Sequence, residues 1–243
     1  MGGSKINPAP KPQKKRVWAS LEHESAQVIG NIFDEANRRD PKHKREWAIL
    51  IDGQTHQRDL IEHEIENRKL QVTVILDLIH VIEYLWKASR CFYPEGSPDG
   101  EEWVSHYLRM ILEGNAKQIA AAIRRSATRQ GIDARDGVDT CANYLHSNAP
   151  YLQYDQYLAR GLPIATGVIE GACRHLVKDR MDITGARWSL KGAEAVLKLR
   201  SLHASGDWDE YWQFHEHSDY ERNHRFHYAR SEKLEQGSLR LIK

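Results

Sequence analysis

Apolar residues recur along this chain of 243 residues in two rhythms. Between residues 25 and 38, Val28, Ile29, Ile32, Phe33 and Ala36 fall on one stripe at helical spacing, with Ser25 placed to cap its start. Residues 47–51 (WAILI) and 72–76 (VTVIL) are instead unbroken apolar runs, the pattern of strands covered on both faces. Each run ends on an aspartate, Asp52 and Asp77. A charged helix over 57–69, with Leu60, Ile61 and Ile65 facing inward, separates them, and a helix over 79–92 follows. Residues 17–21 (VWASL) predict a further short strand. Continuous apolar strands alternating with helices imply an α/β fold with parallel pairing.

Beyond Phe92 the strand rhythm stops. Residues 92–100 (FYPEGSPDG) predict a loop. Helices follow over 101–113 around Trp103, Tyr107 and Ile111, over 115–130 around Ile119 and Ile123, and over 137–147 around Val138, Cys141 and Leu145. A short helix over 151–159 completes this set. Pro163 breaks the chain, Thr166 can cap a helix running to Met181, and another helix covers 189–204 before a polar, aromatic and basic stretch from Asp207. The first sixteen residues, MGGSKINPAPKPQKKR, have the composition of a flexible basic linker.

Composition narrows the function classes. The 35 basic residues nearly balance 34 acidic ones, so the net charge of +1 gives no global attraction to nucleic acid, and any such case rests on local clusters. Cys91, Cys141 and Cys173 lie far apart, which argues against a disulfide framework or a cysteine zinc site and suits a cytoplasmic location. No apolar run reaches the roughly 20 residues of a membrane span. Neither a G-x-G-x-x-G nor a P-loop motif occurs, which counts against a nucleotide-binding module.

Candidate chemistry sits with the acids. In open α/β sheets ligands gather beyond the carboxyl ends of the strands, where Asp52 and Asp77 stand. An aspartate there more often opens a turn or caps the next helix. Glu170 stands early on a helix whose apolar stripe is Ile169, Ala172, Cys173, Leu176 and Val177, and Glu170 lies beside that stripe. Favourable placement at the positive end of the helix, or pairing with Arg174, accounts for it equally well. Three neighbouring carboxylates would need a cation, and Mg2+ held by carboxylates and substrate phosphates makes metal-dependent phosphodiester chemistry the sharper alternative. His80 completes an Asp77-x-x-His80 unit, though such a histidine commonly serves a local hydrogen bond. Arg174, Lys178, Arg180, Arg187 and Lys191 crowd the segment after Glu170 and could follow a phosphate backbone, or simply form a solvated face.

Five segments together carry a family likeness: RVWASL (16–21), LIDGQTHQRDLIE (50–62), VTVILDLIHVIEYLWKASRCFYPEG (72–96), GVDTCANYL (137–145) and GLPIATGVIEGACRHLVKDRMDITGARWSLKGAEAVLKLRSL (161–202). In these the chain resembles bacterial insertion-sequence transposases of the ISKra group, in the DDE superfamily, over about residues 16–215. The resemblance implies an RNase H-like core whose Asp-Asp-Glu site, loaded with Mg2+ or Mn2+, cuts transposon ends and joins them to target DNA. Carried over by position, Asp52 corresponds to the second aspartate and Glu170 to the glutamate, with Asp77 as an alternative second acid. Asp77-x-x-His80 corresponds to a signature of related Mutator-like transposases.

The resemblance divides the chain into a linker (1–16), a first core part (17–92), a helical insertion (93–162), the last core helices with Glu170 (163–206) and a helical tail (207–243). It also implies a departure. The family core opens with an antiparallel meander bearing the first aspartate, whereas the order here starts at the third strand. The chain is therefore expected to be a C-terminal portion of a transposase, inactive alone, acting on DNA as a homo-oligomer or with the missing N-terminal portion. A non-enzymatic α/β module associated with DNA or nucleotides is the competing expectation.

Overall fold

The computed structural model describes residues 13–165, 174–182 and 185–225. The chain divides into two compact units, one of residues 23–171 and one joining residues 1–22 to 172–243.

The first unit contains helix α1 (Ser25–Arg39), strand β1 (Trp47–Ile51), α2 (Thr55–Arg68), strand β2 (Val72–Leu76) and α3 (Leu78–Ser89). The helices α4 (Pro98–Leu112), α5 (Ala116–Arg129), α6 (Asp136–Ser147) and α7 (Tyr154–Ala159) follow. Both strands fall where the apolar runs place them. They pair in parallel, with Trp47 opposite Val72 and Ile51 opposite Leu76. Among the described residues they form the only sheet, so the fold mixes α and β but is mostly helical.

The helical stripes become core. Ile29 and Phe33 of α1 are buried, as are Ile61 of α2, Val81 and Leu85 of α3, and Ile111, Ile119, Ile123, Val138, Cys141 and Leu145 of the later helices. The helices over 98–159 share one apolar cluster with β1 and β2 rather than forming a core of their own. Burial pushes the Cys141 thiol up to about 12, keeping it protonated and unreactive.

Several local expectations shift. Ser25 is the first helical residue of α1 and Glu24 the cap position, without a capping side chain. Helix α4 begins at Pro98, inside the stretch expected to be a loop, because proline at a first helical position gives up an N–H that needs no partner there. The helix expected from Thr166 lies partly outside the described residues. Its described end is a π-helical turn, Arg174–Lys178, followed by a short turn of α-helix, Asp179–Met181.

The second unit contains that turn with α8 (Leu190–Ser205) and α9 (Trp208–Tyr220). Residues 17–21 are not a strand here; side chains of α8 take the place of a strand partner. The Glu194 carboxylate accepts from the Leu21 N–H at 2.8 Å and from Ser20 Oγ at 3.0 Å, and Ser205 Oγ accepts from the Val17 N–H at 3.0 Å. Glu194 is buried and also pairs with Lys198 at 3.3 Å. The Leu21 N–H, more than any other partner, holds its carboxyl below the usual glutamate range. A depressed acid stabilises the fold above its unfolded value of about 4.3 and loses that contribution as pH falls through its folded value. Glu194→Gln is therefore expected to flatten the decline of melting temperature below about pH 4, and an unchanged acid limb would refute the role given to this carboxylate.

Among the described residues no helix is long and apolar enough to cross a membrane.

Candidate functional site at the strand ends

Asp52 and Asp77 each stand one step beyond the last paired residues, Ile51 and Leu76. Adjacent strands lie about 4.8 Å apart, so the register sets the two acids side by side. The Asp77 N–H donates to the Ile51 carbonyl at 2.8 Å, continuing the ladder past the strand ends.

The two carboxylates differ in commitment. Asp77 is 5% exposed, and its Oδ1 caps α3 by accepting from the Ile79 N–H at 2.9 Å. Asp52 is exposed, and its Oδ1 accepts from the Gln54 N–H at 2.9 Å, forming the turn into α2. One oxygen of the exposed Asp52 side chain is thus engaged in the turn. Turn and cap bonding at strand ends is present at both acids, and it leaves room for a ligand at Asp52.

Tyrosines from the helical part complete the local structure. The Tyr144 hydroxyl donates to the Asp52 carbonyl at 3.0 Å, and the Tyr154 hydroxyl donates to the Leu76 carbonyl at 2.8 Å. Tyr144 stacks on Tyr84 with ring centroids 3.8 Å apart. Burial, then the neighbouring Tyr84, Asp52, Asp77 and Glu83, pushes the Tyr144 hydroxyl well above the usual tyrosine range, so it remains a donor. Sequence reading passed over these tyrosines. The available signal was that Tyr144 follows Cys141 by three positions, on the buried face of α6.

His80, expected to form a unit with Asp77, has a local partner in α3. Its Nδ1 meets Glu83 Oε2 at 3.2 Å, and its side chain is 40% exposed. Glu170 lies outside the described residues. The Ile164 carbonyl accepts from the Leu78 N–H at 2.9 Å, which places Ile164 beside Asp77 and Leu78. Among the described residues no group of three or more His, Cys, Asp or Glu could hold a metal ion.

The expected DNA-contacting residues belong to the other unit. Lys178, Arg187 and Lys191 are exposed and form no ion pair among the described residues. Arg174 lies 3.9 Å from Asp179, and the Arg180 guanidinium stands over the Trp188 ring at 5.7 Å. Arg200, in the same basic run, donates instead to the carbonyls of His175 and Leu176 and so holds the π-helical turn.

No protein-family model, curated protein or solved structure matches this chain.

Proposed function

We propose that this chain carries part of a DDE transposase site, in which Asp52 and Glu170 bind a divalent cation for cleavage and joining of DNA strands. The observation that carries this reading is the pair of in-register parallel strands ending on Asp52 and Asp77. The Ile164–Leu78 hydrogen bond supports it, because Ile164, six positions before Glu170 in the sequence, is held at the same strand end. Asp52 is the better ligand of the two aspartates, since Asp77 is buried and occupied in capping α3.

Two or three hard carboxylate oxygens beside a DNA phosphate suit Mg2+ or Mn2+, which would lower the barrier by neutralising charge on the phosphoryl oxygens. The residues present fit that donor set in part, with Asp52 described and Glu170 beyond the described residues. The chain's own contribution is positional. Gln54 N–H and Tyr144 fix the Asp52 backbone and carboxylate, and Glu83 holds His80 through Nδ1, leaving Nε2 for a phosphate or water. Lys178, Arg187 and Lys191 provide exposed charge for a DNA backbone.

Calorimetric titration of the full chain with Mn2+ tests this assignment. Asp52→Asn and Glu170→Gln are each expected to weaken binding at least about tenfold. Asp77→Asn, which retains a capping side chain, is expected to bind within about twofold of the parent. Mn2+ affinity untouched by either of the first two substitutions would remove the metal site.

A further inference from the structure

At the opposite end of the sheet from the aspartates, a cavity of about 790 Å³ opens between the start of β1 and the start of β2. His43, Arg45, Trp47, Lys69, Thr73 and Arg160 line it. Arg160 donates to Thr73 Oγ1 at 2.8 Å and pairs with Glu46, the one carboxylate in the lining. Arg45 and Lys69 are exposed and form no ion pair among the described residues, and behind the lining the buried Asp40 carboxylate accepts from the Arg45 backbone N–H at 2.9 Å and feels the Arg45 charge. The lining therefore carries three cationic side chains against one carboxylate, and Arg160 is held in place by its two partners.

Its aromatic wall is fixed as well. The Trp47 indole donates through Nε1 to Asp40 at 3.1 Å, His43 Nε2 bonds Asn37 at 2.7 Å, and the two rings meet at 5.2 Å with a tilt of 50°. Backbone strain concentrates here. Of the three described non-glycine residues with positive φ, two line this cavity: His43 at 46° and Lys69 at 55°. Strained residues of this kind gather at ligand sites because the surrounding fold must hold them.

We propose that this cavity binds a nucleoside phosphate, its phosphate on Arg45, Lys69 and Arg160 and its base against His43 and Trp47. Guanidinium and ammonium groups supply charge-assisted bonds to phosphate oxygens, and flat rings supply a stacking surface. The volume lies within the range of small-molecule sites. The ligand is either a free nucleotide or the phosphorylated end of a DNA strand.

Calorimetry on the full chain with AMP and with adenosine tests the proposal. AMP is expected to bind at least about tenfold more tightly than adenosine. The double variant Arg45→Gln with Lys69→Asn, in which asparagine tolerates the left-handed backbone, should erase that difference without lowering the melting temperature. Displacement of AMP by a 5′-phosphorylated oligonucleotide and not by its unphosphorylated form assigns the site to a DNA end; displacement by neither assigns it to a free nucleotide. Equal affinity for AMP and adenosine, absence of AMP binding at millimolar concentration, or full AMP affinity in the double variant would overturn it.

Discussion

Alanine at Gly137 is expected to destabilise the larger unit by about 2 to 4 kcal/mol, in spite of alanine's higher helix propensity. Gly137 stands in the first turn of α6, where a Cβ would lie 2.5 Å from the Lys87 carbonyl oxygen and 3.0 Å from Cys91 Sγ. The obstacle is backbone of α3, which cannot rotate aside. The two packed helices, which carry the buried residues Val81, Leu85, Val138 and Cys141, would have to separate. The propensity gain is at most about 1 kcal/mol and smaller in a first turn, so the clash wins. Urea unfolding checks this. A midpoint equal to the parent's would mean that α3 and α6 adjust more freely than close packing allows.

Gly53→Ala is expected to cost about 3 kcal/mol and to disturb the candidate site itself. Gly53 has φ +88°, and a Cβ there would meet Leu76 Cδ1 and the Tyr144 ring edge and hydroxyl, each at 2.9 Å. Two penalties combine: the left-handed backbone, about 1 to 2 kcal/mol, and overpacking, about 1 to 3 kcal/mol. Gly96 separates them, since its φ is +78° with nothing within 4 Å of a Cβ. Gly96→Ala should therefore show only the backbone penalty, about 1 to 2 kcal/mol. Because Tyr144 would be displaced from the Asp52 carbonyl, Gly53→Ala should also weaken Mn2+ binding, while Gly96→Ala should leave it unchanged. Equal stability losses in the two variants would show that the contacts around Gly53 yield without cost.

The strands were legible because short runs that are apolar but for Thr73, each bounded by an aspartate, leave few alternatives, and their parallel pairing followed from the intervening helix. The stripe on α6 was legible for the same reason, since Val138, Cys141 and Leu145 repeat at helical spacing and are all buried. Residues 17–21 misled because an apolar, β-branched pattern states how the backbone extends without stating what satisfies it. A glutamate and a serine from α8 do so here, and no local signal announces a partner over 170 positions away. The basic run after Glu170 was likewise visible as charge but not as use. Arg200 turned inward to the carbonyls of the π-helical turn, whereas Lys178 and Lys191 stayed exposed. The tyrosine donors at the strand ends depend on α6 and α7 lying over β1 and β2, a tertiary relation that composition does not carry.

The unit that joins residues 16–21 to α8 and Asp207 has a kinetic corollary. Its tethers span 173 residues from Leu21 to Glu194, 188 from Val17 to Ser205 and 191 from Arg16 to Asp207. Closing so long a loop is slow and gains nothing until the distant groups arrive. During synthesis the N-terminal stretch must therefore wait, unsatisfied, until α8 has left the ribosome, while residues 23–165 can already mature behind it. Assembly therefore begins within residues 23–165 and ends when residues 16–21 meet α8 and Asp207.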